Sequence, residues 1–315
     1  MIIQLSFPAT GFADIPVLSV AADSGEARRR GLQYIRRALE LRSLSSICIK
    51  QKEMRPQNRY GVHLLVQQYD LVIMEADSDA VAPPRKPGAP AESLPGVQLL
   101  PGNDDGAMEQ FVERLVMRMN ALVQQTPVWG CILIGGKSSR MGQPKHLIED
   151  GQKITWLERT TEILAPLVDG IVVSGNGRLP ERLADTIRLA DVPGVAGPLT
   201  GIVAACRWQP MVSWLLVACD MPHITTEAIQ WLLSDRHAGC WGRVPKLAAD
   251  KRAEPLLAWY DFRAGQIFEE LVSAGNLRIG DAAVHPKIDT PLIPEALRHS
   301  WQNINSPDQL PASPA

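Results

Sequence analysis

Apolar residues in this chain fall into short unbroken runs that alternate with longer stretches in which they recur every three or four positions. The first pattern is that of strands buried on both faces, and the second is that of helices lying over a sheet. In the first half, residues 16–21 read as a buried strand, 27–41 as a basic helix, 46–50 as a second strand and 69–75 as a third. Residues 81–101 carry six prolines and few large apolar side chains, which predicts an extended loop. Across 107–123, Met108, Phe111, Leu115, Val116 and Met119 stand at helical spacing and predict a helix that closes this half against its sheet.

The helical pattern stops at Gln124-Gln125-Thr126-Pro127 and a new apolar run starts at Val128, which places a domain boundary there and gives units of 1–125 and 126–315. A chain of 315 residues is long enough for two separate cores. In the second half, 129–134, 171–174, 187–190 and 214–218 read as strands, and 154–167, 197–208 and 225–233 read as helices. This alternation predicts an α/β fold with a mainly parallel sheet and helices on both faces. Ligands of such sheets sit beyond the carboxyl ends of the strands, so chemistry is expected in the loops that leave them. Residues 309–315 read as a frayed tail.

Composition then excludes several classes. Hydrophobic residues make up 45% and charged residues 21%, an ordinary globular balance rather than a disordered one. Thirty-two Lys and Arg against 34 Asp and Glu leave a formal charge of −2, so neither nucleic acid nor an anionic membrane surface is an expected partner. The five cysteines, Cys48, Cys131, Cys206, Cys219 and Cys240, are odd in number and form no C-x-x-C pair. That argues against a disulfide framework or a thiolate zinc site, and a reducing cytoplasm is the expected compartment. The opening residues lack the basic start and apolar run of a signal peptide, and no apolar stretch approaches the roughly 20 residues that span a bilayer, so a soluble protein is expected.

The strongest motif follows the strand that ends at Leu133: Ile134-Gly135-Gly136-Lys137-Ser138-Ser139-Arg140-Met141-Gly142-Gln143-Pro144-Lys145. Adjacent glycines let a backbone approach a nucleotide closely, and the N–H groups of such a loop converge on phosphate oxygens. Arg140 and Lys145 add two cationic donors. The arrangement suits nucleotidyl transfer, where charge gathers on an α-phosphate under attack and on departing pyrophosphate, and positioning with electrostatics supplies most of the catalysis. The spacing is neither that of G-x-G-x-x-G nor that of a Walker A loop.

This stretch resembles the opening motif of the nucleotidyltransferases that attach a nucleotide to molybdopterin, L-A-G-G-x-S-x-R-M-G-x-x-K, and most closely the MobA-like molybdenum cofactor guanylyltransferases. Ile134 stands where that family has alanine. Four further blocks match in order: Asp191 followed by Gly197-Pro198-Leu199-Thr200-Gly201; Cys219-Asp220-Met221-Pro222; Glu254-Pro255-Leu256-Leu257-Ala258; and Asn303-Ile304-Asn305-Ser306-Pro307-Asp308-Gln309-Leu310. The resemblance, which runs from Val128 to Leu310, implies a Rossmann-like nucleotidyltransferase domain. It also implies transfer of GMP from GTP to molybdopterin, the molybdenum cofactor, with release of pyrophosphate and with Mg²⁺ as cofactor. Molybdoenzymes or their chaperones are the macromolecular partners to be considered.

Carried over residue by residue, the resemblance places Leu133, Ile134, Gly135 and Gly136 against the base and phosphates. Arg140, Lys145 and Asp220 become the expected catalytic groups, with Lys145 neutralising the triphosphate and Arg140 supporting the loop or the pyrophosphate. Asp220 is the expected Mg²⁺ ligand, since that hard cation favours one or two carboxylates with phosphate oxygens and water. Asp191 would accept from guanine N–H groups, and it also fits a solvated turn before Pro193. Ser174 fits a nucleotide contact and a turn cap equally. Asn303 and Asn305 match a terminal N-x-N motif that would orient the metal or the acceptor phosphate, with helix capping through Asn305 or Ser306 as the alternative. Glu254 falls on the acceptor side. His146 and His223 adjoin motifs without a partner pattern and read as surface or packing residues.

Relatives that use CTP open with L-A-A-G and lack G-P-L-x-G, so the resemblance favours GTP over cytidylyl transfer. Sugar-1-phosphate nucleotidyltransferases read G-x-G-T-R at the opening and do not match. A non-catalytic carrier or regulatory protein remains as an alternative, opposed by the survival of Arg140, Lys145, Asp191 and Asp220 at motif positions.

The first half resembles the MobB-like GTP-binding partner family of the same pathway, which begins with a strand, a Walker A loop and a helix. Here Ala22 and Ala27 replace the two glycines, Arg28 the lysine and Arg29 the metal-binding hydroxyl, and Glu26 adds an acid to the loop. Each change opposes phosphate binding. A smaller α/β domain like a P-loop domain, with an eroded loop and a docking or dimerisation role, is expected, with an unrelated βαβ domain as the alternative.

Overall fold

A computed structural model describes residues 2–4, 17–21, 25–50, 65–75, 97–99, 105–135 and 142–309. They form two compact units, one of residues 1–125 with 237–239 and one of 126–236 with 240–315. Among the described residues, no helix is long and apolar enough to cross a membrane.

The first unit holds a five-stranded sheet of β1 (Ile2–Gln4), β2 (Val17–Ala21), β3 (Ser46–Lys50), β4 (Leu71–Glu75) and β5 (Val97–Leu99), in the order β3-β4-β2-β1-β5. Strands β2, β3 and β4 run parallel, while β1 is antiparallel to both β2 and β5. Helix α1 (Gly25–Glu40) buries Leu32, Ile35 and Leu39 and leaves Arg29, Arg30, Arg36 and Arg37 in water, which is why so basic a segment still packs. Helix α2 (Asp105–Gln125) adds Met108, Phe111, Val112, Leu115 and Met119 to a core shared with Leu18, Val20, Leu71 and Ile73. The buried Asp70 is satisfied by the N–H of Ser45 at 2.7 Å and its hydroxyl at 2.8 Å, which ties the entries of β3 and β4 together.

One expectation needs correction here. Residues 81–101 are not loop throughout, because Val97–Leu99 pair with β1. The β-prone run after Pro95-Gly96 outweighs the proline content of the window before it; residues 81–96, 100 and 101 lie outside the described residues.

The second unit is built on a seven-stranded sheet. Its strands are β6 (Val128–Leu133), β7 (Gly170–Ser174), β8 (Ile187–Leu189), β9 (Ser213–Ala218), β10 (Gly242–Arg243), β11 (Ala258–Tyr260) and β12 (Ile288–Asp289), in the order β12-β10-β11-β9-β6-β7-β8. Strands β8, β7, β6 and β9 are parallel, and β11 runs antiparallel to β9 and β10. The unit is therefore α/β with a mainly parallel sheet. Strands β10, β11 and β12 have two or three residues each, too few to show a period in the sequence. Helices α3 (Trp156–Leu164), α4 (Pro198–Trp208), α5 (Thr226–Leu233) and α6 (Ala264–Ser273) pack around the sheet.

Local chemistry sets the ends of these helices. Thr155 and Glu158 form a reciprocal cap at the start of α3, with Glu158 Oε2 accepting from the Thr155 N–H at 2.8 Å and from its hydroxyl at 2.7 Å. Helix α4 instead opens with Pro198 at its first position, where the missing N–H costs nothing. One turn on, Gly201 lies against the sheet so closely that a Cβ there would stand 2.6 Å from Ser174 Oγ and 2.8 Å from Leu133 Cδ2. Gly201→Ala should therefore lower stability by about 1–3 kcal/mol in urea denaturation. Gly280→Ala is the control, since an added methyl there meets nothing within 4 Å.

Candidate active site

The site grows from the carboxyl ends of β7, β6 and β9, which are held together one residue beyond the strands. The Ile134 N–H donates to the Ser174 carbonyl at 2.8 Å, and the Cys219 N–H donates to the Leu133 carbonyl at 3.1 Å. This fixes where Ile134-Gly135 leaves β6 and where Asp220 follows β9. Ile134 is buried, Leu133 half-buried and Gly135 exposed with φ 147°, a backbone conformation that favours glycine. Gly136 and Arg140 lie outside the described residues.

Lys145 returns to these strand ends on a 3-10 turn, Lys145–Leu147. Its Nζ donates to Asp220 Oδ2 at 2.9 Å and to Asn305 Oδ1 at 2.8 Å, side chains 75 and 160 positions away in the chain. Lys145 and Asp220 keep only 16% and 22% of their side-chain surface in water, so solvent screens the pair less than it would on an open surface. Asn305 is held there by its neighbours. The Ile304 N–H donates to the Asp220 carbonyl at 2.9 Å, and the Ile304 side chain packs with Ile148 and Trp156.

One expectation about this terminal segment changes. Gln309, expected to begin a frayed tail, turns its Oε1 back to accept from the N–H groups of Asn305 at 2.7 Å and Ser306 at 3.2 Å. Asn303 is exposed, and Glu254 is half-buried, with its carboxyl pushed up by burial. No hydrogen bond or ion pair among the described residues joins either to the Lys145 cluster.

A second cluster forms beyond β7 and β8. A Cβ at Gly175 would lie 1.7 Å from the Ile134 carbonyl oxygen, and φ is 118°, so only glycine fits where the chain leaves β7. Asn176 follows, and its Nδ2 donates to Asp191 Oδ2 at 2.9 Å. Asp191 is thus engaged with a second polar side chain rather than simply solvated. Thr200 of the G-P-L-T-G block clasps the next residue, its hydroxyl oxygen 2.6 Å from the Val192 N–H and 3.2 Å from the Val192 carbonyl. That block is a scaffold for Asp191: Gly201 admits the sheet and Thr200 fixes the turn.

Ser174, for which a nucleotide contact and a turn cap are equal expectations, lies inside the fold. Its hydroxyl is buried beneath Gly201 and has no hydrogen-bond partner among the described residues. It is the last residue of β7, and strand alternation points it at helix α4, whereas Asn176, two residues on and past a glycine, is free to reach Asp191. Asn176 and Thr200 were absent from the sequence-based set, although an asparagine between two glycines at a strand end is itself a turn signal. Cys219, between Leu133 and Asp220, has its thiol pushed up to about 12, first by burial and then by the Asp220 charge, so it stays protonated at neutral pH.

Strand-end loops carrying an exposed glycine backbone, a lysine set against a carboxylate, and an Asn-Asp pair beyond the neighbouring strands define a nucleotide-handling α/β domain of the nucleotidyltransferase type. The family described as MobA-like NTP transferase domain matches residues 130–282. A "Probable molybdenum cofactor guanylyltransferase" of Pelotomaculum thermopropionicum is 30% identical over 193 residues, covering 58% of this chain and 89% of the relative. The chain belongs to this MobA-like family. A "Molybdenum cofactor biosynthesis bifunctional protein" of Synechocystis sp. is 29% identical over 196 residues, 59% of this chain, and the match spans 53% of that protein's length. Among solved structures, molybdopterin-guanine dinucleotide biosynthesis protein A from Archaeoglobus fulgidus is 26% identical, with a TM-score of 0.46 over 57% of this chain and 93% of that one.

His146, beside Lys145, is buried, and burial together with the Arg188 charge holds its imidazole below the usual histidine range against the opposing pull of the Arg178 carbonyl. His285 is lowered as well, first by burial. As pH falls, the unfolded chain takes up these protons near pH ~6.5 while the native state does not, so stability should decline below that pH and level off only once the native groups protonate. Thermal melts between about pH 7 and 5 check this, and His146→Gln should flatten the decline.

Proposed function

We propose that this chain transfers GMP from GTP to the terminal phosphate of molybdopterin, forming the guanine dinucleotide cofactor and pyrophosphate. The observation that carries this reading is the meeting of Lys145, Asp220 and Asn305 at the ends of β6 and β9. The acceptor phosphate oxygen forms a bond to the α-phosphorus as the bond to the bridging oxygen breaks, and the electron pair leaves with pyrophosphate. Lys145 offers a fixed cation to that departing charge, and preorganised charge of this kind supplies most of the catalysis in such transfers. Arg140 serves the same phosphates, and the Gly135-Gly136 backbone approaches them. Glu254 and Asn303 belong to the acceptor side.

The donor set also suits Mg²⁺. Asp220 supplies a carboxylate and Asn305 a neutral oxygen, a hard set that leaves room for phosphate oxygens and water. When bound, the ion supplies positive charge to the phosphates. Asp191 and Asn176 support guanine over cytosine: a carboxylate accepts from both N–H groups on the guanine Watson-Crick edge, whereas cytosine offers one donor group there.

For the first unit, the reading is a MobB-like domain that has lost nucleotide binding and serves docking or dimerisation. The Arg28 guanidinium, where a P-loop would carry its lysine, lies 3.8 Å from Glu75 at the end of β4, a carboxylate where phosphate binding calls for positive charge. The reaction is placed in the cytoplasm, with molybdoenzymes or their chaperones receiving the product.

Protein incubated with Mg²⁺, molybdopterin and either GTP or CTP should yield the guanine dinucleotide and no cytosine product. Lys145→Ala and Asp220→Ala should each lower the rate by about a hundredfold or more. Equilibrium dialysis of the full chain with GTP should find one site, and two sites would contradict the eroded loop of the first unit.

A further inference from the structure

Lys145 and His146 share one 3-10 turn but reach different parts of the site. Lys145 meets Asp220 and Asn305, while His146, 3% exposed, runs under the loop that follows β7. Its Nε2 stands 3.0 Å from the Arg178 carbonyl oxygen, an acceptor, so this nitrogen carries the proton. The ring lies flush on Gly177: a Cβ there would be 2.8 Å from His146 Cε1, 3.0 Å from Nε2 and 3.7 Å from Ile134 Cδ1. Gly177 has φ 153°, so the missing side chain serves the backbone turn and makes room for the imidazole at once.

The same loop is held from its other side. Arg188, exposed on edge strand β8, donates to the Gly175 carbonyl from Nε at 3.2 Å and from Nη2 at 3.0 Å. Between the two braces sits Asn176, which donates to Asp191. Two glycines flank that asparagine, so without support the loop has many conformations open to it, and binding would pay the entropy of ordering it.

We propose that His146 is a positioning residue for the nucleotide, joining the turn that carries Lys145 to the loop that carries Asn176 and so fixing the separation of the triphosphate and base groups. The inference rests on the reading of this site as a GTP pocket. His146 touches no reacting atom, and Lys145 keeps its own partners without it. Its loss therefore acts on assembly of the pocket and not on the transfer step.

His146→Ala should raise KM for GTP by about tenfold while kcat stays within about twofold, the size of one lost hydrogen bond with its packing. His146→Gln places an amide donor near Nε2 and should recover KM to within about threefold of wild type. Titration of GTP into the full chain should show the same shifts. Arg188→Met removes the opposite brace at an exposed position and should raise KM in the same direction, a test that does not depend on refilling a buried site. An unchanged KM in folded His146→Ala and in Arg188→Met would overturn the inference, as would a fall in kcat that His146→Gln does not rescue. Wild-type protein that neither binds GTP nor forms product would instead overturn the GTP reading beneath it, an outcome the variants cannot mimic.

Discussion

Everything in the second unit turns on the Lys145 ammonium, which lies within hydrogen-bond distance of Asp220 after β9 and Asn305 near the end of the described chain. Groups so far apart in sequence meet only if β6 and β9 hold their register and the terminal segment is pinned. The register comes from parallel pairing of Val128–Leu133 with Ser213–Ala218, a strand buried over nearly its whole length. The pin is Ile304, whose N–H reaches the Asp220 carbonyl and whose side chain packs with Ile148, the residue that ends the Lys145 turn. Hydrophobic burial thus brings together polar groups that are far apart in the chain and sets the distance between them.

A second constraint works through absent side chains. Gly175 and Gly201 lie where a methyl would strike the Ile134 carbonyl or the Ser174 hydroxyl, so β6, β7 and helix α4 converge more tightly than any other residue allows. That convergence sets Asn176 beside Asp191 and gives Thr200 its grip on Val192. Charge recognition and backbone packing are the same construction seen at different distances.

The parallel core of this fold was legible because β6 and β9 are unbroken apolar runs and β6, β8 and β9 are each followed by a clear helix. Asp191 and Asp220 drew notice for a related reason, since each follows the end of a strand, and Lys145 because it closes the glycine-rich motif that leaves β6. The burial of the Ser174 hydroxyl beneath Gly201 was not legible, since a motif position does not reveal which face of a strand a side chain takes, and neither was the hydrogen bond from Asn176 to Asp191. Strands β10, β11 and β12 were too short for any periodicity, and Val97–Leu99 was hidden in a window dominated by proline. His146 was read only as a surface or packing residue, and its partners could not be read, because Arg178 and Gly177 come from a loop more than 30 residues on.

The most direct test is a double-mutant cycle on GTP affinity with Lys145→Met, Asn305→Ala and the pair. If the two side chains act as one preorganised group, the double variant should bind about as weakly as the worse single variant, a coupling of roughly 1 kcal/mol or more. Strictly additive losses would mean that Lys145 and Asn305 meet without acting together, and the central role given to their contact would be wrong.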